Sequence, residues 1–184
     1  MKIKNLDEKE LGYMFGLFEG DGYKYHDKKC RRYQVEFYLN SIKDKGIVNY
    51  LINLLEKIEL NPNKYLDKRY NCIRVRVYSK ELFEILKKNV ALENRNKKFK
   101  LGFISGMIDS EGHVNKEKLY IMIVSTDKKT LEKCSEILSN MGLSSNVSKR
   151  TLSKKDKKFS YRIYVPVSFK NKAHLSIKTK RLQS

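Results

Sequence analysis

The sequence has few of the residues that mark several common protein classes. Its three cysteines are far apart and form no CxxC pair, so neither a disulfide framework nor a zinc knuckle is predicted. We expect Cys30, Cys72 and Cys134 to be thiols of the core. The three histidines are equally scattered, which favours solvent-facing or hydrogen-bonded histidines over metal ligands.

Long apolar runs and phosphate-binding loops are also missing. The longest largely apolar run, residues 13–18, is too short to cross a bilayer or to serve as a signal segment, and the amino terminus is charged. We therefore expect a soluble intracellular protein that does not enter a membrane. No loop of the GxxxxGK[ST] or GxGxxG type is present, so ATP or dinucleotide chemistry is not expected.

Acidic residues are scarce relative to basic ones. The 184 residues include 40 Lys and Arg against 21 Asp and Glu, which gives a formal net charge of +19. A hydrophobic fraction of 40% supports an ordinary buried core and argues against a disordered polybasic tail. Because the basic residues are spread along the whole chain, we expect a folded basic surface that binds a polyanion, most simply nucleic acid.

The chain contains an internal repeat. The segment LGYMFGLFEGDG at residues 11–22 returns as LGFISGMIDSEG at residues 101–112, an offset of 90. Residues 47–60 match residues 130–143 at an offset of 83, and the alternating segment 73–77 matches 163–167. We interpret this as a duplicated unit, with a first half at 1–93 and a second half at 94–184.

Apolar spacing predicts the elements of each half. Helical spacing covers residues 8–21 and 98–111, with Asp7 and Glu10 as a capping box and Gly22 and Gly112 at left-handed stop positions. Alternation predicts strands at 33–39 and 72–78. Amphipathic helices are predicted at 44–59 and 80–89, and again at 127–141 and 170–181. The predicted fold is α+β, with an αββαββα unit present twice.

The predicted strands separate apolar from polar residues. In each strand one face is aliphatic and the other carries polar or aromatic groups that can face a nucleic acid. The residues predicted to bind DNA are Gln34, Glu36, Tyr38, Arg74, Arg76, Tyr78, Lys80, Arg162 and Lys170.

Small residues recur every four positions in the two repeated helices. They are Gly12, Gly16 and Gly20 in the first copy and Gly102, Gly106 and Ser110 in the second. Such ridges let two helix backbones approach closely, so we expect the copies to pack about a pseudo-twofold axis, with Gly12, Gly16, Gly102 and Gly106 at the interface.

The next residue is acidic in both copies, Asp21 and Glu111, so this packing would bring two carboxylates together at negative helix ends. A hard divalent cation, most simply Mg²⁺, would relieve their repulsion and could activate water for phosphodiester hydrolysis. Glu19 and Asp109, two residues earlier on another helix face, are expected to form structural hydrogen bonds.

Residues 14–22 and 104–112 resemble the two motifs of a LAGLIDADG homing endonuclease of the single-chain form. The resemblance implies a monomer whose two four-stranded antiparallel sheets form a DNA-binding saddle, with helices on the other face. It implies Mg²⁺-dependent double-strand cleavage of a long DNA site, leaving short 3′ overhangs. Position assigns metal binding and catalysis to Asp21 and Glu111, and further metal ligation to the carbonyls of Gly20 and Ser110. Mn²⁺ or Ca²⁺ could substitute for binding.

Two positions depart from the family pattern. Where many members have a Gln-Lys pair after the first long strand, this chain has Ile42 and Lys43, so a catalytic lysine is matched but the water-positioning amide is absent. The corresponding Ser125 and Thr126 of the second half supply a hydroxyl and no charge.

The main alternative is an intron maturase, or another binding relative without nuclease activity, whose partner could be intron RNA. The two intact acids favour the enzyme. A ribosome-associated structural protein would explain the charge but not the glycine helices that end in an acid. The compartment would be the cytoplasm of a prokaryote, or an organelle if an organellar intron encodes the chain.

Overall fold

A computed structural model of the chain describes residues 1–87, 92–115, 117–150, 159–171 and 176–180. The first half contains α1 (Glu8–Asp21), β1 (Gly22–Asp27), β2 (Arg32–Asn40), α2 (Lys45–Lys57), β3 (Asn63–Asp67), β4 (Cys72–Tyr78) and α3 (Lys80–Lys87). The second contains α4 (Lys97–Glu111), β5 (Gly112–Asn115), β6 (Tyr120–Ser125), α5 (Lys128–Ser139), β7 (Ser148–Lys149), β8 (Tyr161–Val165) and α6 (Ile177–Lys180). Short 3₁₀ turns cover Ile3–Asn5, Leu92–Asn94 and Val167–Asn171.

The strands form two antiparallel sheets of four strands each. Their strand orders are β1-β2-β4-β3 and β5-β6-β8-β7, so both sheets have the same topology. This arrangement confirms the predicted α+β fold with a duplicated helix and strand order. The predicted boundary between residues 93 and 94 falls within the 3₁₀ turn Leu92–Asn94.

The two repeated helices begin at side-chain caps. The Asp7 carboxylate accepts hydrogen bonds from the N–H groups of Lys9 and Glu10, and the Glu10 carboxylate accepts one from the Asp7 N–H, so the predicted capping box is present. At the start of α4, the Asn96 side chain accepts a hydrogen bond from the Phe99 N–H.

The prediction of left-handed stop glycines was wrong. Gly22 and Gly112 have φ values of −93° and −84°, which any residue can adopt, because each is the first residue of a strand. A Cβ atom at either position would collide with a carbonyl of the preceding helical turn, at Phe18 or Ile108. These glycines allow a helix to pass directly into a strand, and they leave Asp21 and Glu111 as the last helical residues.

The first sheet separates its residues as the alternation predicted. Val35, Phe37 and Leu39 of β2 are buried against the helices, together with Val75 and Val77 of β4. The intervening side chains point to the opposite face, where β2 and β4 align Gln34 with Tyr78, Glu36 with Arg76, and Tyr38 with Arg74. The sheet therefore has one aliphatic face and one polar face.

Three further predictions differ from the structure or extend beyond its described residues. Cys134 is a core thiol, but Cys72 is only partly buried and Cys30 is exposed in the β1–β2 turn. The helix predicted at 170–181 is a 3₁₀ turn at Val167–Asn171 followed by α6, and residues 172–175 lie outside the described part of the chain. The helix predicted at 80–89 is seen as Lys80–Lys87, and residues 88 and 89 also lie outside it. None of the described helices is long and apolar enough to cross a membrane.

Candidate active site at the ends of two packed helices

The interface between α1 and α4 depends on glycine at four positions. These two helices form the most extensive contact between any two described elements of the fold. A Cβ atom at each glycine would collide with a backbone carbonyl of the other helix, which shows that the backbones touch directly. The colliding pairs are Gly12 with Phe99, Gly16 with Phe103, Gly102 with Lys9, and Gly106 with Tyr13.

The same packing brings the two motif acids to one place. A Cβ atom at Gly20 would collide with the side chain of Ser110 and would lie 2.9 Å from Cγ of Glu111. Asp21 is the residue after Gly20, and its carboxylate and that of Glu111 repel each other strongly enough to affect the Asp21 pKa. The structure therefore brings Gly20, Asp21, Ser110 and Glu111 together at the carboxyl ends of α1 and α4.

Burial destabilises the ionised forms of both acids, and like charge adds to this effect at Asp21. Burial, then the charge of Glu111, raises the pKa of Asp21 from 3.8 to about 7, and the nearby Lys178 ammonium acts in the opposite direction. Burial also raises the pKa of Glu111, and Lys178 again opposes that increase. A pair of half-buried carboxylates with raised pKa values is typical of a site that works with a cation.

Asp44 is a third acid near this site, and its spacing in the sequence did not single it out. It is only 8% exposed, and its carboxylate accepts a hydrogen bond of 3.0 Å from the Asn40 N–H at the end of β2. Its charge also raises the pKa of Asp21. Asp44 therefore adds negative potential behind the motif acids while it fixes the turn that carries Ile42 and Lys43.

Asp109 forms structural hydrogen bonds, as its position predicted. It is fully buried and accepts hydrogen bonds from the Tyr13 hydroxyl at 2.8 Å, the Ser176 hydroxyl at 2.8 Å, and the N–H groups of Ile177 at 2.7 Å and Lys178 at 2.9 Å. Burial raises the pKa of Asp109, and these donors oppose that increase. Asp109 thus attaches the segment 176–180 to α4 beside the motif acids.

Glu19, the equivalent acid of the first helix, contacts a different element. Its carboxylate accepts a hydrogen bond of 3.0 Å from the Thr130 hydroxyl of α5. Because α5 belongs to the second half, this bond also joins the halves. Its carboxylate is bonded away from the pair formed by Asp21 and Glu111, in agreement with the predicted structural role.

The turn after β2 presents the residues that depart from the family pattern. The Asn40 side-chain oxygen accepts hydrogen bonds from the N–H groups of Ile42 at 3.0 Å and Lys43 at 2.9 Å, which fixes the backbone of the turn. Ile42 is 68% exposed, so an apolar side chain stands in solvent where a polar amide was expected. In the second half, the Ser125 hydroxyl accepts a hydrogen bond from the Asp127 N–H at 3.1 Å. Thr126, at the position equivalent to Lys43, carries no charge.

On the polar face of the first sheet, one predicted DNA-binding residue is not accessible. Glu36 is 2% exposed, its carboxylate forms an ion pair with Arg76, and it accepts a hydrogen bond of 2.6 Å from the Tyr38 hydroxyl. A buried carboxylate of this kind holds its neighbours in place and cannot itself contact a base. The prediction that Glu36 contacts DNA was therefore wrong, because its larger neighbours in the sheet cover it.

Arginine and tyrosine side chains alternate across the rest of that face. Each guanidinium lies over a tyrosine ring, at 4.9 to 5.6 Å from the centroid, in an arrangement that limits rotation of both side chains. The pairs are Arg32 with Tyr78, Arg74 with Tyr38, and Arg76 with Tyr65. The sequence analysis did not predict Arg32 and Tyr65 as part of this face. The strand predicted at 33–39 begins one residue after Arg32, and no residue range was predicted for the strand that contains Tyr65.

Two other predicted basic residues do not join this group. The ammonium of Lys80 lies 5.7 Å from the ring of Tyr33, which lies on the same face of β2 as the buried Val35. Lys80 is therefore separated from Arg74 and Arg76. The side chain of Lys170 lies outside the described part of the chain.

The outer face of the second sheet is less charged among its described residues. Arg162 lies on this face, with its guanidinium 5.5 Å from the Tyr164 ring and its Nε donating a 3.3 Å hydrogen bond to the Ser148 hydroxyl. The strand register places Met122 and His113 beside Tyr164. Within the described residues, the outer faces of the two sheets therefore differ in chemistry.

The groups at the ends of α1 and α4 that could bind a metal ion present oxygen atoms. Within the described residues, no group of three or more His, Cys, Asp or Glu side chains is placed to hold a metal ion. The available ligands are two carboxylates and nearby backbone carbonyls, a set that suits a hard divalent cation and does not suit zinc. The mutual repulsion of Asp21 and Glu111 would also be relieved by such a cation, so these residues fit a Mg²⁺-type ion.

Sequence comparison finds similarity in the second half and across most of the chain. Residues 98–181 match the sequence model of the LAGLIDADG-like domain. An uncharacterized protein of Methanocaldococcus jannaschii, MJ0398, is 32% identical over 142 residues, which are 75% of this chain and 51% of that protein. The chain thus spans about half the length of this curated relative.

Structural comparison finds the same fold in a homing endonuclease and in another LAGLIDADG domain. Structures of mesophilic variants of the homing endonuclease I-DmoI give a TM-score of 0.74 at 19% identity, covering 96% of this chain and 97% of that one. The complex of I-DmoI with DNA and Ca gives 0.73 at 21% identity, with the same coverage. The N-terminal LAGLIDADG domain of DUF199/WhiA gives 0.62 at 15% identity, covering 94% and 86%. At these identities the likeness is one of fold.

Proposed function

We propose that this chain, whose residues 98–181 match the LAGLIDADG-like domain and whose fold is that of I-DmoI, is a single-chain LAGLIDADG protein that acts as a sequence-specific, Mg²⁺-dependent DNA endonuclease. The observation that carries this proposal is the pair formed by Asp21 and Glu111 at the ends of α1 and α4, where burial and like charge raise the Asp21 pKa to about 7. Structural packing alone does not require acids at this position. The pair is suited to hydrolysis of a phosphodiester at the point where a duplex would lie closest to the pseudo-twofold axis.

The residues that would hold the cation are Asp21, Glu111 and the backbone carbonyl of Gly20. When bound, a divalent cation supplies an activated water and neutralises charge on the phosphate. Asp21 and Glu111 orient that chemistry from opposite sides of the pseudo-twofold axis, one acid from each half. Mn²⁺ and Ca²⁺ are expected to occupy the same oxygen ligands, and structures of I-DmoI with DNA were solved with Ca, Mn and Mg.

The basic sheet faces are proposed to bind the duplex as a saddle. Arg74 and Arg76 have their guanidinium groups fixed by carboxylates and tyrosine rings, so little side-chain entropy would be lost when they contact DNA. Rigid arginines of this kind can read guanine in the major groove. Lys43 is proposed to act near the scissile phosphate, at the end of β2 beside Asp44.

We propose that the enzyme acts as an intracellular monomer and cuts both strands of a long site, leaving short 3′ overhangs. Two acids related by a pseudo-twofold axis can each serve one strand, which removes the need for a second protein chain. The single-chain fold shared with I-DmoI supports this arrangement. An intron-encoded or free-standing gene for such an enzyme would have its target in the uninterrupted allele.

The proposal is tested by incubating the purified chain with a plasmid that carries the genomic sequence on both sides of its gene, joined without that gene. Mg²⁺ should give linear plasmid with defined ends, and EDTA should prevent cutting. DNA binding measured in Ca²⁺ should weaken with salt, with a slope in log K of about −0.9 for each neutralised phosphate. Tight specific binding without cutting in Mg²⁺ or Mn²⁺ would instead indicate a nucleic-acid-binding relative.

A further inference from the structure

The ammonium group of Lys178 occupies the carboxyl end of α4. Its Nζ donates hydrogen bonds to the backbone carbonyl of Ser110 at 3.0 Å and to that of Gly112 at 3.1 Å. Carbonyls at a helix carboxyl end carry partial negative charge and attract a cation. The Ser110 carbonyl is also the atom that the family resemblance assigns to metal binding, so this assigned ligand already has a cationic partner.

A specific set of hydrogen bonds fixes Lys178 in this place. The buried carboxylate of Asp109 accepts the N–H groups of Ile177 at 2.7 Å and Lys178 at 2.9 Å, and the hydroxyl of Ser176 at 2.8 Å. Ser176 is itself fully buried, and its hydroxyl accepts the Thr179 N–H at 3.2 Å. The backbone on both sides of Lys178 is thus attached to α4, which holds the lysine side chain at the helix end.

Lys178 acts electrostatically on both motif acids. Its charge favours the ionised form of Asp21, against burial and the charge of Glu111, and it favours the ionised form of Glu111 against burial. One ammonium group therefore already supplies part of the positive charge that the acid pair needs.

Lys178 also compensates for an asymmetry between the halves. In the first half, Lys43 follows the second strand of the sheet, and at the equivalent place in the second half Thr126 carries no charge. The segment Ser176–Lys180 brings a lysine to the second motif helix by a different route. Among the described residues of the first half no counterpart of this attachment is seen, and Glu19 accepts a hydrogen bond from Thr130 of α5 instead.

We propose that Lys178 is a resident cation of the acid pair and takes the place beside Ser110 and Glu111 that a divalent cation would otherwise share. This role deepens the proposed function and rests on it for its purpose. A divalent cation in the free protein is then held mainly by Asp21, Glu111 and the Gly20 carbonyl, and Lys178 weakens its binding through charge repulsion and through its hold on the Ser110 carbonyl.

The test is a titration of the full chain with Mn²⁺ alone, without DNA, with free Mn²⁺ measured by electron paramagnetic resonance. Lys178→Met and Lys178→Gln both remove the charge, and Gln keeps a hydrogen-bond donor for the carbonyls. Both variants should bind Mn²⁺ about tenfold more tightly than the wild type, because a unit charge near a divalent ion changes affinity by at least that factor. Lys129→Met removes an exposed charge on α5 and should leave Mn²⁺ affinity unchanged.

A damaged fold would weaken Mn²⁺ binding, so tighter binding separates this role from a structural one. Unchanged or weaker binding in both folded variants would overturn the inference. Plasmid cleavage by the wild type is measured in parallel. If the wild type cuts DNA and both variants bind Mn²⁺ as it does, the inference fails while the proposed function stands. If the wild type does not cut DNA but both variants bind Mn²⁺ more tightly, the inference stands and the proposed function fails.

Discussion

The Tyr13 hydroxyl of α1 donates a hydrogen bond of 2.8 Å to the Asp109 carboxylate of α4, and both side chains are fully buried. This bond crosses the interface between the two halves of the chain, next to the positions where glycine lets the helix backbones touch. The same carboxylate accepts the N–H groups of Ile177 and Lys178. Asp109 therefore connects three parts of the fold: the first motif helix, the second, and the segment that follows the second sheet.

Removing the Asp109 carboxylate should loosen the attachment of the segment 176–180 to α4. Asp109→Asn can satisfy fewer of the four donors, and we expect a loss of about 2 kcal/mol in the free energy of unfolding. Tyr13→Phe removes one donor and should cost about 1 kcal/mol. Hydrogen exchange at the Ile177 and Lys178 amides should accelerate much more in Asp109→Asn than in Tyr13→Phe. Equal exchange in the two variants would contradict the role given to Asp109.

The raised pKa of Asp21 gives a pH dependence of stability. In the unfolded chain this acid loses its proton near pH 3.8, and in the folded chain only near pH 7. Between these values the folded state binds more protons, so its stability decreases as pH rises through that window. In EDTA, Asp21→Asn should therefore gain stability relative to the wild type as pH rises, reaching about 4 kcal/mol near pH 8. Chemical unfolding at several pH values measures this.

Asp67 provides the control with opposite sign. Hydrogen bonds from Arg69 and Arg74 lower its pKa from 3.8 to about 2, so its ionised form stabilises the fold above about pH 4, and this contribution is lost as pH falls through the folded pKa. Asp67→Asn should lose stability relative to the wild type at neutral pH. A shift of the same sign in both variants would rule out the electrostatic explanation for Asp21.

The contact between α1 and α4 should not tolerate a methyl group. Gly16→Ala places a Cβ atom against the Phe103 carbonyl, so the helices must separate, and we expect a loss of about 3 kcal/mol or more in unfolding free energy. Gly46→Ala, near the start of α2, places its Cβ 3.1 Å from a methyl group of Ile177 and should change stability by less than about 1 kcal/mol. Similar losses in both variants would mean that the close helix approach is not the cause.

The ion pair between Glu36 and Arg76 should matter for stability as well as for DNA binding. Arg76→Met leaves the buried Glu36 carboxylate without its cation, which should cost about 2 kcal/mol. The double variant Glu36→Gln with Arg76→Met also removes the unpaired charge of Glu36 and should recover most of that loss in stability. Specific DNA binding should remain weak in both, because the double variant does not restore the guanidinium. Urea unfolding and DNA titration separate the two effects.

Much of this fold could be predicted from the sequence because the repeat and the alternation are local. The glycine spacing in residues 11–22 and 101–112 predicts the helix contact, and Val35, Phe37 and Leu39 predict the buried face of β2. The position of Lys178 could not be predicted in this way. Its placement depends on a hydrogen bond between Asp109 and residues nearly seventy positions later, and no periodic pattern records such a contact.

Side-chain accessibility was also beyond the sequence. Alternation assigns Glu36 to the polar face correctly, but it does not show that Arg76 and Tyr38 cover the carboxylate. Gly22 was misassigned for a related reason. The sequence shows that glycine is needed there, and only the backbone shows that the need comes from the close Phe18 carbonyl and not from a positive φ.

The most direct test of the account compares DNA cleavage and DNA binding in three acid variants. Asp21→Asn and Glu111→Gln should each reduce cleavage in Mg²⁺ by about 100-fold or more, while the dissociation constant for the target changes by less than about threefold. Glu19→Gln, an acid of the same motif bonded to Thr130, should keep its cleavage activity. Full cleavage in both Asp21→Asn and Glu111→Gln would contradict the central role given to these two carboxylates.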